Sequence, residues 1–200
     1  MNPIIKRYLT PIQDYSWPGN TQESIVLHTT LGNNYEGAYE TLKIRHLSYH
    51  FIIDEDGDVY QMVDIERSAW HSGVKSNPNL RARSFFGTEN PNRRSIGIAF
   101  VRNGDSSITS LQRDSAVNLI KEIGQTNGIR YNRDNIFCHY EITDYKPKEV
   151  ENYRQQVVEG LEGYKDETDA GEKGKLLLII QLLQTLIKQL QQKLNEQKDL

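Results

Sequence analysis

The segment Ser95–Val101, SIGIAFV, constrains the fold more than any other stretch of the chain. It is apolar nearly throughout, so it does not alternate between core and water. A strand of this kind is buried on both faces, which happens where helices cover both sides of a sheet. Two further short apolar segments, Ser24–Thr29 and Ile136–Tyr140, read the same way. Around them, helices are expected over Glu36 to about Leu47, Thr109 to about Ile123 and Glu149 to Leu161. Ala38, Leu42 and Leu47 face inward on the first, and Thr109 to Gln112 forms a capping box on the second. Tyr49–Ile53 and Asp58–Val63 flank Asp54-Glu55-Asp56-Gly57, a hairpin signal. The three aspartates there resemble the start of a calcium loop, but the glycine is misplaced and a solvated tip explains them better. Residues 1–24 read as irregular and 64–94 as one long loop. The expected architecture is α/β, a mixed central β-sheet flanked by helices on both faces.

The last part of the chain differs in kind. Gly163–Lys175 is charged and glycine-containing, a linker by composition. From Leu176 to Leu200, Leu176, Ile180, Leu183, Ile187, Leu190 and Leu194 form a heptad seam with isoleucine at a and leucine at d. The expectation is a domain over 1–162, a linker over 163–175 and, over 176–200, a coiled-coil-like amphipathic helix that makes a homo-oligomer.

Net charge is −3 among 200 residues, without the basic stripe of a nucleic-acid binder. No apolar run is long enough to span a bilayer. The first twenty residues carry no apolar run of signal-peptide length, so the protein is expected to stay cytoplasmic until released. Cys138 is the one cysteine, and no internal disulfide can form. Within a strand it points away from its neighbour His139, so a buried structural thiol is the better reading.

Of five histidines, His46 and His50 carry no distinguishing context. His28 in IVLHTT and His139 in IFCHYE each end an apolar strand at a sheet edge, where sheets of this class place their sites. Two imidazoles delivered in this way are half of a metal site. A hydrolytic zinc site needs three protein ligands and an open position for water.

The series IVLHTT, LSYHFIIDEDGDVYQMVD, AWHSG, SIGIAFVRNG, a helix and CHYEIT resembles the zinc-dependent N-acetylmuramoyl-L-alanine amidases, the group of phage lysozyme-type amidases and peptidoglycan recognition proteins. The likeness covers residues 20 to 160. It implies hydrolysis of the amide between N-acetylmuramic acid and L-alanine in peptidoglycan, hence an endolysin-like enzyme acting on the bacterial cell wall with Zn2+ as cofactor. On that pattern His28 and His139 are zinc ligands and Tyr49 stands beside the metal-bound water. His71 lines the substrate groove, and Trp70 either packs or stacks on sugar. Ala99 stands where some members carry a catalytic glutamate.

The departure comes after His139. Lys146 matches a family lysine, but the third-ligand position falls on Lys148. Glu149 is a carboxylate next to it, and Asp144 is a nearer option. If no third ligand exists, the chain is a non-catalytic peptidoglycan-binding module multimerised by its terminal helix.

Overall fold

The computed structural model describes residues 5–7, 12–73, 75–102, 107–146, 150–163, 180 and 183. Contacts divide the chain into Met1–Glu162 and Gly163–Leu200.

In the first unit, β1 (Ile5–Arg7), β3 (Ser24–Thr29), β4 (Phe51–Ile53), β5 (Val59–Gln61), β7 (Ser95–Phe100) and β8 (Ile136–Cys138) form a six-stranded sheet ordered β1-β5-β4-β7-β3-β8. Only the β4–β5 hairpin is antiparallel; every other neighbouring pair is parallel. All six residues of β3 and all six of β7 are buried, as their apolar runs require.

The two faces are covered by different helices. On one, Ile25, Leu27, Ile96, Ile98 and Phe100 pack with Leu119, Ile120 and Ile123 of α3 (Ser110–Asn127) and Tyr153, Val157 and Val158 of α5 (Glu151–Gly163). On the other, Ile52 and Ala99 pack with Tyr35, Ala38 and Leu42 of α1 (Tyr35–Arg45). Farther along this second face, Val26 and Phe137 pack with Ala82 and Phe86 of α2 (Leu80–Phe86). This is the mixed sheet with helices on both sides that the apolar strands demand. The capping box forms between Thr109 and Gln112, and Gly128 ends α3 in the left-handed region at φ 73°. Leu47 is 41% exposed, because α1 stops at Arg45 with left-handed His46 as its cap.

Three sequence expectations are corrected. The first 24 residues contain β1 and β2 (Ser16–Pro18). Residues 64–94 hold β6 (Arg67–Ala69), paired antiparallel with β2, then α2 and a 3₁₀ turn at Pro91–Arg93. Asn79 caps α2 and Gly87 ends it, so seven helical residues hide in loop-like composition. The last strand stops at Cys138, and His139 opens the short helix α4 (His139–Ile142). The cause is Glu141, whose side chain accepts from the Cys138 backbone N–H.

Ile180 and Leu183 are helical and exposed. The rest of the heptad seam expected over 176–200 lies outside the described residues. Among the described residues, no helix is long and apolar enough to cross a membrane.

Candidate metal centre

Strand register brings the two histidines together. β3 pairs with β8 through Ile25–Ile136, Val26–Phe137 and Leu27–Cys138. One step farther along both chains stand His28 and His139. Their Nδ1 atoms are 3.0 Å apart, with ring centroids 4.6 Å apart.

The proton positions follow from fixed acceptors. A carbonyl can only accept, so His139 Nε2–H donates to the Ser72 carbonyl at 3.1 Å. Ser95 Oγ–H donates to the Pro91 carbonyl at 2.6 Å, and therefore accepts from His71 Nε2–H at 3.3 Å. His71 Nδ1 is then an acceptor, faced by His28 Nε2 at 3.0 Å and Ser72 Oγ at 2.9 Å. When His28 Nε2–H is the donor, both facing Nδ1 atoms carry lone pairs.

Electrostatics keeps these rings neutral. Burial, then repulsion from the neighbouring imidazoles and Lys146, holds His28 well below the usual histidine range. Burial, then Lys146, brings His139 down to about 4. Burial also holds His71 well below that range. Neutral imidazoles are the form that ligates metals. Two nitrogens bound tetrahedrally at about 2.0–2.1 Å to one zinc stand roughly 3.3 Å apart, close to the separation here. The donor pair fits zinc.

His71, expected to line the substrate groove, is 6% exposed and packs behind His28. It sits on the opposite nitrogen of His28 from His139, so it cannot share their ion. Asp144 is corrected as a candidate ligand. It is exposed, and its carboxylate accepts from Ser76 Oγ at 2.9 Å. Among the described residues, no three His, Cys, Asp or Glu side chains are grouped to hold a metal. Glu149 lies outside the described residues.

The protein-family model for N-acetylmuramoyl-L-alanine amidase matches residues 18–152. The chain belongs to the N-acetylmuramoyl-L-alanine amidases. This amidase hydrolyses the amide between N-acetylmuramic acid and L-alanine in peptidoglycan, and the family is generally zinc-dependent. Solved structures share its fold. The amidase LysC from Clostridium intestinale URNW is 22% identical, with a TM-score of 0.54, over 70% of this chain and 85% of that one. A mutant endolysin from Bacillus subtilis is 22% identical, with a TM-score of 0.58, over 80% and 99%. AmiD from E. coli, in complex with anhydro-N-acetylmuramic acid-L-Ala-D-gamma-Glu-L-Lys, is 22% identical, with a TM-score of 0.50, over 63% and 50%. No curated protein sequence matches significantly.

Around the amidase's histidine pair, Tyr49 stacks obliquely against His28, with ring centroids 4.8 Å apart and planes at 47°. Ala99 is the register partner of His28 on β7. Lys146 is exposed, yet its charge reaches both imidazoles. Trp70 packs against Trp17 at 5.5 Å and Tyr15 at 6.2 Å. Its backbone N–H donates to Ser48 Oγ at 2.9 Å, which ties it to the segment carrying Tyr49. Cys138 is a core thiol: burial pushes its pKa far up, and Sγ donates to the Val150 carbonyl at 3.3 Å.

Sequence reasoning missed two residues of this region. Gly97 gives His71 its space, since a Cβ there would lie 2.5 Å from His71 Cγ. Glu141 caps the turn that carries His139, and its three-residue spacing from Cys138 is the one signal that could have revealed it.

Proposed function

We propose that the amidase binds one zinc ion through His28 Nδ1, His139 Nδ1 and Glu149. The observation that carries this reading is the pair of ring nitrogens facing one another at 3.0 Å. Two lone pairs at that distance repel and call for a cation between them. Support for Glu149 comes from the sequence: it is a carboxylate ten residues past His139, and glutamate is an acceptable zinc ligand. When bound, zinc polarises the scissile carbonyl and lowers the pKa of a water toward 7.

The chain's own residues do the rest. His71 accepts the His28 Nε2 proton and holds the ring with Nδ1 forward. Tyr49, beside His28, donates its phenolic O–H to the oxygen that gains charge on the scissile carbonyl. The Lys146 ammonium adds a positive field at the same place. Trp70 and Trp17 border the Tyr49 segment and contact the glycan.

Zinc analysis and wall digestion test the proposal together. Close to one equivalent of zinc is expected, with release of stem peptides bearing a free L-alanine amine. Less than about half an equivalent, with no activity gained on adding zinc, would defeat it. We also propose that residues 176–200 form a homo-oligomer, and light scattering of the full chain against a chain ending at Gly163 checks this. Retention in the cytoplasm until release is proposed too; cell fractionation of the producing host checks it.

A further inference from the structure

Glu141 has a role beyond capping. Its side chain is 3% exposed and accepts four hydrogen bonds. Oε1 accepts from Arg81 Nη1 at 2.7 Å and Asn79 Nδ2 at 3.3 Å. Oε2 accepts from the Cys138 backbone N–H at 2.8 Å and Arg154 Nη1 at 2.9 Å. Arg81 belongs to α2 and also donates to the Ile136 carbonyl at 2.7 Å, while its guanidinium covers the Phe137 ring at 4.1 Å. Arg154 belongs to α5, just beyond the segment that holds Glu149, and also binds Glu151 at 2.7 Å. One carboxylate therefore joins α2, the β8–α4 corner and α5.

Stability alone is a poor reason for such a cluster. Buried ion pairs often contribute no more than apolar side chains of the same volume, because desolvation offsets the attraction. What the cluster provides is fixed geometry. The Glu141–Arg154 contact and the Cys138–Val150 hydrogen bond fix the start of α5 against the β8–α4 corner.

We propose that Glu141 is a positioning residue for the metal centre, holding the corner that carries the His139 ring in place against His28. The proposal rests on the reading of His28 and His139 as zinc ligands. Glu141 does not touch metal or substrate; it acts through the corner and through Arg154.

The test uses the full chain and two variants. E141Q keeps the size and an acceptor for Cys138 N–H but removes the charge between the guanidiniums. R154M removes the link to α5 and leaves the Arg81–Glu141 pair intact, and it carries the same expectation should E141Q fail to fold. Zinc affinity is measured by competition with a chromophoric chelator, well below the unfolding temperature of each metal-free protein. The cobalt(II)-substituted proteins are compared by their visible spectra. Both variants are expected to bind zinc about 10- to 100-fold more weakly, with an altered cobalt spectrum and a lower kcat at unchanged KM. A wild type that binds zinc alongside folded variants with unchanged affinity and spectrum overturns this proposal alone. A wild type that binds no zinc overturns the ligand reading and this proposal with it.

Discussion

Gly97→Ala tests the packing beneath the metal pair. An added Cβ would lie 2.5 Å from His71 Cγ, 2.8 Å from Nδ1 and 2.9 Å from Cδ2. Contact between such atoms is comfortable only near 3.5–4.0 Å, so the ring must retreat by roughly 1 Å. It has nowhere to go. His71 Nε2 is against Ser95 Oγ, and Nδ1 is against both Ser72 Oγ and His28 Nε2. The backbone at Gly97 is ordinary strand rather than left-handed, so alanine itself suits the position and recovers about 0.5–1 kcal/mol over glycine. Overpacking costs about 1–3 kcal/mol, and the net expectation is a loss of about 1–2 kcal/mol. For a domain of this size that lowers Tm by roughly 2–8 °C. Zinc affinity should fall about 10-fold or more, because His28 loses its oriented partner. In a His71→Ala background the clash is gone, and Gly97→Ala should then cost nothing. A Gly97→Ala protein as stable and as zinc-avid as wild type would refute the argument, and so would an equal cost in both backgrounds.

Three further outcomes are expected. His50 is fully buried, with Nδ1 accepting from Gly97 N–H at 2.8 Å and Nε2–H donating to the Arg67 carbonyl at 2.8 Å. Burial lowers its pKa from 6.5 to about 4, so between those values the unfolded chain holds more protons; its stabilisation is complete above pH 6.5 and lost as pH falls toward 4. At roughly 1.4 kcal/mol per pH unit this is about 3 kcal/mol. His50→Asn, which keeps the acceptor for Gly97 N–H, should flatten the acid limb of the denaturation curve; an unchanged limb would exclude His50 as its source. Tyr49→Phe should lower kcat by about 10²- to 10⁴-fold with zinc content unchanged, and undiminished turnover would remove the phenol from the reaction. Glu149→Ala should lose most bound zinc while Asp144→Ala keeps it, and the reverse result in metal analysis would reassign the third ligand.

The sheet was legible because burial on both faces writes itself as continuous apolar runs, and SIGIAF and SIVL could belong nowhere else. His28 stood out as the imidazole inside such a run, and His139 as its counterpart just past the end of β8. Other features left no comparable trace. β1 is three residues pairing with Val59–Gln61, too short to show a period and far from its partner in sequence. α2 is seven residues between an asparagine and a glycine, the composition of a loop. Gly97 looked like filler in an apolar strand, since the side chain needing its space comes from residue 71. Glu141 carried no signal of its role because its guanidinium partners are 60 residues before it and 13 after it.

The stretch that reads as one loop, residues 64–94, has its strongest effect on protons. Three histidines near the site hold theirs against acceptors in or next to that stretch. His50 donates to the Arg67 carbonyl, His139 donates to the Ser72 carbonyl, and His71 is relayed through Ser95 to the Pro91 carbonyl. Each acceptor is a backbone group that cannot reverse its role, directly or at one remove, so each tautomer is dictated rather than chosen. On the path from Pro91 to His28, His71 offers its bare Nδ1 to His28 Nε2, and a proton held there leaves His28 Nδ1 free toward His139. The short elements of this stretch, β6 paired to β2 and the turn at Pro91–Arg93, anchor those carbonyls. A segment so placed orients the histidines of the proposed metal centre without supplying a ligand, which is why ligand spacing alone could not disclose it.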